Sequence, residues 1–322
     1  MKLFVTPSPH IRSGETTQRL MGATLVSLIP ALAAGTWFFG PRALAVTGVT
    51  MLSCLISEWT FRKLSGQAST LFNGSAAVTG LLLALSLPAS VPYWIGVVGG
   101  AFAAVVGKGL LGGLGQNLFN PALSARAFLM LLWPVHLTRY APAGTWLSML
   151  GGFDGATAAT PLHHMQMPAL PEESLANLFL GNIGGCIGET SALALLLGGG
   201  FLLARRVITW HIPVAYLGTV GVLTLLFFKG ENPVAWMGYS LLGGGLLLGA
   251  LFMATDYATS PVTPKGRLVY GAGCGILTVL FRYYGLFPEG VTYAILLMNA
   301  CAWALDRALP SKRFGDAGGG RA

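Results

Sequence analysis

Residues 154–164, "DGATAATPLHH", place an acid, two hydroxyls and two adjacent histidines among very small side chains. Thr157 and Thr160 lie among glycine and alanine residues, so the active site of another enzyme could enclose either hydroxyl. Asp154 could position the hydroxyl of Thr160 or help bind a metal during such a modification. A second reading is a simple turn, since Asp and Thr side chains fold back on their own backbone. His163 and His164 are metal-ligand types. Adjacent side chains in a loop seldom converge on one ion, however, and no third ligand accompanies them, so no metal site is expected.

Other polar residues interrupt apolar segments. In "GKGLLGGLGQNLFNPA" (107–122) the GK[ST] ending of a phosphate loop is missing and no strand precedes it, which excludes that reading. The stretch predicts a tight glycine turn, with Asn120 capping a helix and Pro121 in its first position. Asn117 has no such duty. An amide beside open glycine backbone can hydrogen-bond a planar heterocycle. "MATDYATSPVTPKGR" (253–267) puts Asp256 into broken backbone between apolar runs. Such backbone is tolerated at membrane depth only where it is buried in protein or lines a cavity. It serves either a cofactor or ion site or a structural turn. Glu58 and Glu189 also lie within or at the ends of apolar runs, where acids are costly and usually functional. Both can equally be interfacial caps. The Asn, Ser and Thr of "NGSAAVTGLLLALSLP" and "GNIGGCIGETSALALLLGG" fit helix caps or interhelical hydrogen bonds.

The elements that must position these residues are membrane helices. Of the 322 residues, 54% are hydrophobic and only 9% charged, far below the quarter or so that soluble domains carry. Glycine is abundant, with 45 residues, and small residues let membrane helices approach closely. Apolar segments near the spanning length lie at about 20–39, 43–61, 74–88, 92–108, 121–134, 178–203, 211–228, 234–254, 268–284 and 289–305. No secretory cleavage site follows the first of them. With ten spans and both termini inside, every Lys and Arg falls inside except Arg42, Arg139, Lys229 and Arg282, as the positive-inside rule requires. The net charge of +8 therefore sets orientation and does not indicate a nucleic-acid partner. The four cysteines form no CxxC pair and are expected to be small packing residues.

The chain divides into an inner N-terminal segment (1–19), five spans (20–134), an outer loop (135–176), five more spans (177–305) and an inner tail (306–322) that is expected to be disordered. Glycine- and proline-broken segments in corresponding positions of the two halves suggest an inverted repeat with a site at its interface.

"SPHIRS", "NGSAAVTGLLLALSLP", "GGLGQNLFNPA", "GETSALALLLGG", "FMATD", "SPVTPKGRLVYGAGCGILT" and "FPEGVTYAILLMN" follow in this order. Together they make the chain resemble the D subunits of the Rnf complex, an ion-translocating ferredoxin:NAD oxidoreductase, over about residues 6–307. It is also similar to the homologous B subunits of the sodium-translocating NADH:quinone reductase. Those normally carry a longer N-terminal extension, whereas this chain reaches its first span by about residue 20.

The resemblance implies that a flavin transferase esterifies FMN, through its phosphate, to Thr160 on the periplasmic face of the bacterial inner membrane. The family pattern maps its acid onto Asp154, its Ser/Thr onto Thr157 and its acceptor onto Thr160, with Ala158 where glycine is usual and Pro161–Leu162 following as in D subunits. It implies a non-covalent flavin, riboflavin, within the spans on the inner side, at Asn117 and Asn120, which match the family motif; Asp256, from its broken backbone, is a further candidate for that site. The fold implied is all-α: ten transmembrane helices in two inverted five-helix repeats, similar to urea transporters. The function implied is electron transfer coupled to Na⁺ or H⁺ translocation, with NAD and ferredoxin chemistry on partner subunits and no catalytic side chain here. The alternative is a passive channel or permease of the same architecture; a purely structural scaffold subunit is a third reading. The flavinylation pattern separates them, because neither needs an exposed acceptor threonine.

Overall fold

A computed structural model of the chain describes residues 16–310 except 68–69, 111–114, 145, 147–161, 163–170, 172, 231 and 286–288. Asp154, Thr157, Thr160, His163 and His164 thus lie outside the described residues, as does the tail beyond 310. The chain is helical, and the described residues form no strand beyond an isolated bridge between Pro88 and Cys186.

The helices are α1 (Thr17–Phe39), α2 (Pro41–Leu64), α3 (Ser75–Leu85) and α4 (Tyr93–Phe102), which runs on as a π-helix (Ala103–Leu110). Then come α5 (Pro121–Leu132), α6 (Pro134–Leu137), α7 (Leu175–Leu180), α8 (Ala192–Ala204), α9 (His211–Leu226) and α10 (Pro233–Leu242). The last are α11 (Leu246–Leu248), continued by a second π-helix (Gly249–Met253), α12 (Pro264–Tyr284) and α13 (Val291–Ala308). Asn–Pro and Thr–Pro pairs start several of them. Asn120, Asn232 and Thr263 accept from backbone amides of the first turn, and the following proline fits where no donor is needed.

Three stretches are long and apolar enough to cross a membrane unaided: α1, α2, and α4 with its π-helix. A fourth is α10 with α11 and its π-helix, bent by 60° at Gly243–Gly245. Helices α3, α5, α8 and α9 are apolar but shorter, and α12 carries Lys265, Arg267 and Arg282. Segment 178–203, expected to be a single span, is not one: α7 ends at Gly181, with φ at 109°, and helix resumes only at Ala192. Glycines fill the gap, and Ser191 caps α8. Large side chains such as Trp37, Leu197, Val222 and Trp303 stand exposed, as lipid-facing residues do.

Packing follows one pattern in each half. In the first, α2 packs on α3 and α4; in the second, α9 packs on α10 and α12. The halves meet where α1 crosses α8 and where α5 meets α13. At the first crossing a side-chain carbon on Gly198 would collide with the Ser27 carbonyl, so only glycine permits this approach. The broken backbones complete each other's hydrogen bonds. Gly188 N donates to Leu85 O at 2.8 Å and Ile187 N to Leu87 O at 3.0 Å, satisfying groups that lipid cannot.

Not every basic residue counted in the loops lies there. Lys108 and Arg126, assigned to the inner side, are buried, and so are Arg42 and Arg282 of the outer set. Arg42 Nε donates to Ala89 O at 3.0 Å, and Arg282 donates to the carbonyls of Ser240 and Gly243. These four serve the interior.

Candidate functional site

Two buried charged clusters stand in the interior. The first surrounds a cavity of about 390 Å³, inside the usual range for ligand pockets of about 300–1,000 Å³. Both halves build it. The N-terminal turns of α1 and α3 supply Thr17, Thr24, Ser75 and Thr79; the turn before α5 supplies Asn117 and Asn120. The second half contributes Ile208, Phe252 and the Thr255–Ala258 turn with Asp256. The two π-helices lead to this cavity: one ends beside Lys108, and the other runs into the turn that bears Asp256. An extra residue in a helical turn re-aims the side chains beyond it, and such turns often mark functional sites.

The three buried or half-buried residues singled out in the sequence therefore converge. Asn120 caps α5, accepting from Ala122 N at 3.0 Å and Leu123 N at 3.3 Å. Its amide donates to Met253 O at 3.1 Å, tying the two halves together at the cavity. Asp256 accepts from Thr259 Oγ1 at 3.4 Å. Asn117 differs from both: its Oδ1 is buried with no partner among the described residues. A buried acceptor left unpaired costs about 1–3 kcal/mol, so this atom suits a ligand N–H or O–H.

Sequence reasoning missed Lys108. Its ammonium donates to Glu58 Oε2 and to Ser75 Oγ, each at 2.8 Å, and it lies on the cavity wall. Glu58 stands behind it, accepting from Thr70 Oγ1 at 2.6 Å and facing Arg62 Nε at 3.6 Å. The only sequence signal was a lysine and a glutamate at the ends of apolar runs.

The second cluster is centred further along α5. Arg126 pairs with Glu189 at 2.8 Å and with Glu289, and Tyr140 donates to Glu289 Oε1 at 2.9 Å. Cys186 Sγ lies 3.6 Å from the guanidinium. Cys186, Glu189 and Glu289 bring potential ligand atoms within 4.8 Å of one another, but the guanidinium pairs with both carboxylates. The space left there is about 10 Å³, at the lower limit for a single water. Cys54 and Cys274 are core packing residues, and all the cysteines are free.

The described residues of the 135–176 loop touch the end of the molecule away from the cavity. Gly144 N donates to Phe38 O at the far end of α1, and Ser90 Oγ to Arg139 O. Thr17 and Leu20, at the near end of α1, line the cavity. The 23 residues of α1 separate these ends by about 34 Å.

The profile of the NQR2, RnfD, RnfE family matches residues 4–315. The chain belongs to that family. It is 43% identical to the D subunit of the Na⁺-translocating ferredoxin:NAD⁺ oxidoreductase complex of Acetobacterium woodii, over 98% of this chain and 96% of that one. It is 38% identical to the D subunit of the proton-translocating ferredoxin:NAD⁺ oxidoreductase complex of Clostridium ljungdahlii, over 97% and 96% of the two chains. The D subunit of the ion-translocating oxidoreductase complex of Stutzerimonas stutzeri is 41% identical, over 94% and 93%. These relatives are named for different ions, so family membership leaves the transported ion open.

Proposed function

We propose that this chain is the flavin-carrying D subunit of an ion-translocating ferredoxin:NAD oxidoreductase of the bacterial inner membrane. The observation that carries the reading is the cavity between the halves, where Asn117, Asn120 and Asp256 meet. The orphan Asn117 Oδ1 fits the imide N–H or a ribityl hydroxyl of riboflavin, and the cavity volume is that of a cofactor site. When bound, the flavin supplies electron transfer; the protein supplies position and tuning. Asn117 would accept a hydrogen bond from the ligand. Asn120 would hold the α5 start and the Met253 carbonyl in place, and Asp256 would add a fixed polar group opposite. The apolar walls from Leu82, Leu202 and Phe252 would exclude water.

FMN is carried as a phosphoester on Thr160, within the Asp154–Thr160 pattern, on the periplasmic face. The two flavins then sit near opposite membrane faces, which agrees with the described loop residues contacting the end away from the cavity. Partner subunits handle NAD and ferredoxin, and a flavin transferase matures the chain. Ten spans in two inverted five-helix repeats fit the matched packing of α2 with α3 and α4, and of α9 with α10 and α12. A passive permease of the same architecture is disfavoured by the Arg126 cluster, which leaves only about 10 Å³ where α5 meets the gap before α8 and the start of α13.

The test is in-gel flavin fluorescence of the denatured protein, produced with its transferase, wild type beside Thr160→Val. A fluorescent band lost only in the variant is the expected result. A wild-type protein without fluorescence, when the transferase is active on another substrate, would overturn the Thr160 assignment and bring the permease forward.

A further inference from the structure

We propose that Lys108, balanced by Glu58, sets the reduction potential of the group held in the cavity. This rests on the reading above that the cavity holds a flavin. An ammonium group has three N–H donors and no acceptor. Glu58 Oε2 and Ser75 Oγ take two of them at 2.8 Å each. Among the described residues the third has no acceptor, and it is available to a group in the cavity that Lys108 lines. Ser75 lines the same cavity, whereas Glu58 does not and stands behind the lysine. The cation therefore faces the ligand and its counter-charge is a layer further away.

A reduced isoalloxazine that has gained two electrons and one proton carries one more negative charge than the oxidised ring. A fixed cation at its edge stabilises the reduced form, and in a water-poor site this interaction is screened little. Glu58 opposes that effect. Its side chain is only 4% exposed, so its charge also acts through protein and not through solvent. The pair is thus a two-part control in which each member has a defined sign. A pair that only held α2, α3 and the π-helix together would have no such polarity.

The experiment measures the midpoint potential of the non-covalent flavin in the purified full-length subunit, together with the flavin released by acid. Glu58→Gln leaves the lysine uncompensated, and its potential rises. Lys108→Met leaves the glutamate with Arg62 alone as counter-charge, on the side of Oε1, and its potential falls. The double variant Glu58→Gln/Lys108→Met removes both charges with little change in volume, avoids an unpaired buried ion, and keeps the test open if Lys108→Met fails to fold. Its potential falls between wild type and Lys108→Met, and below Glu58→Gln in any case. Each single change is expected to alter the ratio of affinities for reduced and oxidised flavin about tenfold, which for two electrons is about 30 mV. Potentials that move in the same direction in the two single variants, that stay at the wild-type value, or that leave the double variant at or above Glu58→Gln would overturn the role of Lys108. Wild-type protein that releases no flavin on acid treatment would overturn the cavity reading and this inference with it.

Discussion

The two buried charge clusters are built from the same materials and do opposite things. Lys108–Glu58 and Arg126–Glu189–Glu289 are both basic residues on first-half helices, neutralised inside the protein. Around Lys108 the structure leaves about 390 Å³ and an acceptor, Asn117 Oδ1, with no partner among the described residues. Around Arg126 it leaves about 10 Å³, and the guanidinium reaches two carboxylates and a thiol. A charge paired beside empty space is available to a ligand; a charge paired on all sides holds elements together. Arg126 joins α5 to the gap before α8 and to the start of α13, so it staples the two halves.

This contrast is broken most strongly by removing the staple. Arg126→Met strands two carboxylates in the interior, which costs about 3–5 kcal/mol, and the protein should fail to accumulate in the membrane. Neutralising all three, Arg126→Met with Glu189→Gln and Glu289→Gln, should restore much of the yield, measured by membrane immunoblot and melting in detergent. Stranded carboxylates without loss of yield would mean that the cluster is not a staple.

A smaller effect is expected from Gly245→Ala. The added carbon would come within 2.5 Å of Glu189 Oε1. Displacing that carboxylate should lower stability by about 1–3 kcal/mol, the usual range for overpacking. Cavity flavin content should persist in the fraction that folds.

The smallest change in stability is expected at the other cluster. Asn117→Ala removes an acceptor that no described residue satisfies, so melting of the flavin-free protein should be unchanged or slightly raised. Flavin affinity should fall by the 1–3 kcal/mol or so of a buried polar group left unpaired, roughly 5- to 150-fold, read by titration of riboflavin fluorescence. Equal affinity in the two proteins would place the ligand elsewhere.

Much of the fold was legible because its signals are local. Apolar runs mark helices, and Asn120–Pro121 announces a helix start through an orphan first-turn amide and a residue lacking one. The gap at 181–191 was less legible, since "GNIGGCIGETS" is apolar enough to continue a span. What breaks it is its hydrogen bonding to Leu85 and Leu87, a partner in the other half. The candidate residues Asn117, Asn120 and Asp256 came from their types and from family resemblance, not from any local rule that would bring them together.

By itself the sequence determined that this is a membrane protein, which residues could start its helices, and that costly polar groups lie within its apolar segments. The tertiary structure alone decided which of those groups are satisfied. Asn120 finds Met253 across 133 residues, Lys108 finds Glu58 across 50, and Arg126 finds Glu289 across 163. The physical reason is that a cap is closed within one turn, whereas a buried charge is neutralised by whatever the packed halves bring within about 4 Å, and sequence spacing carries no record of that.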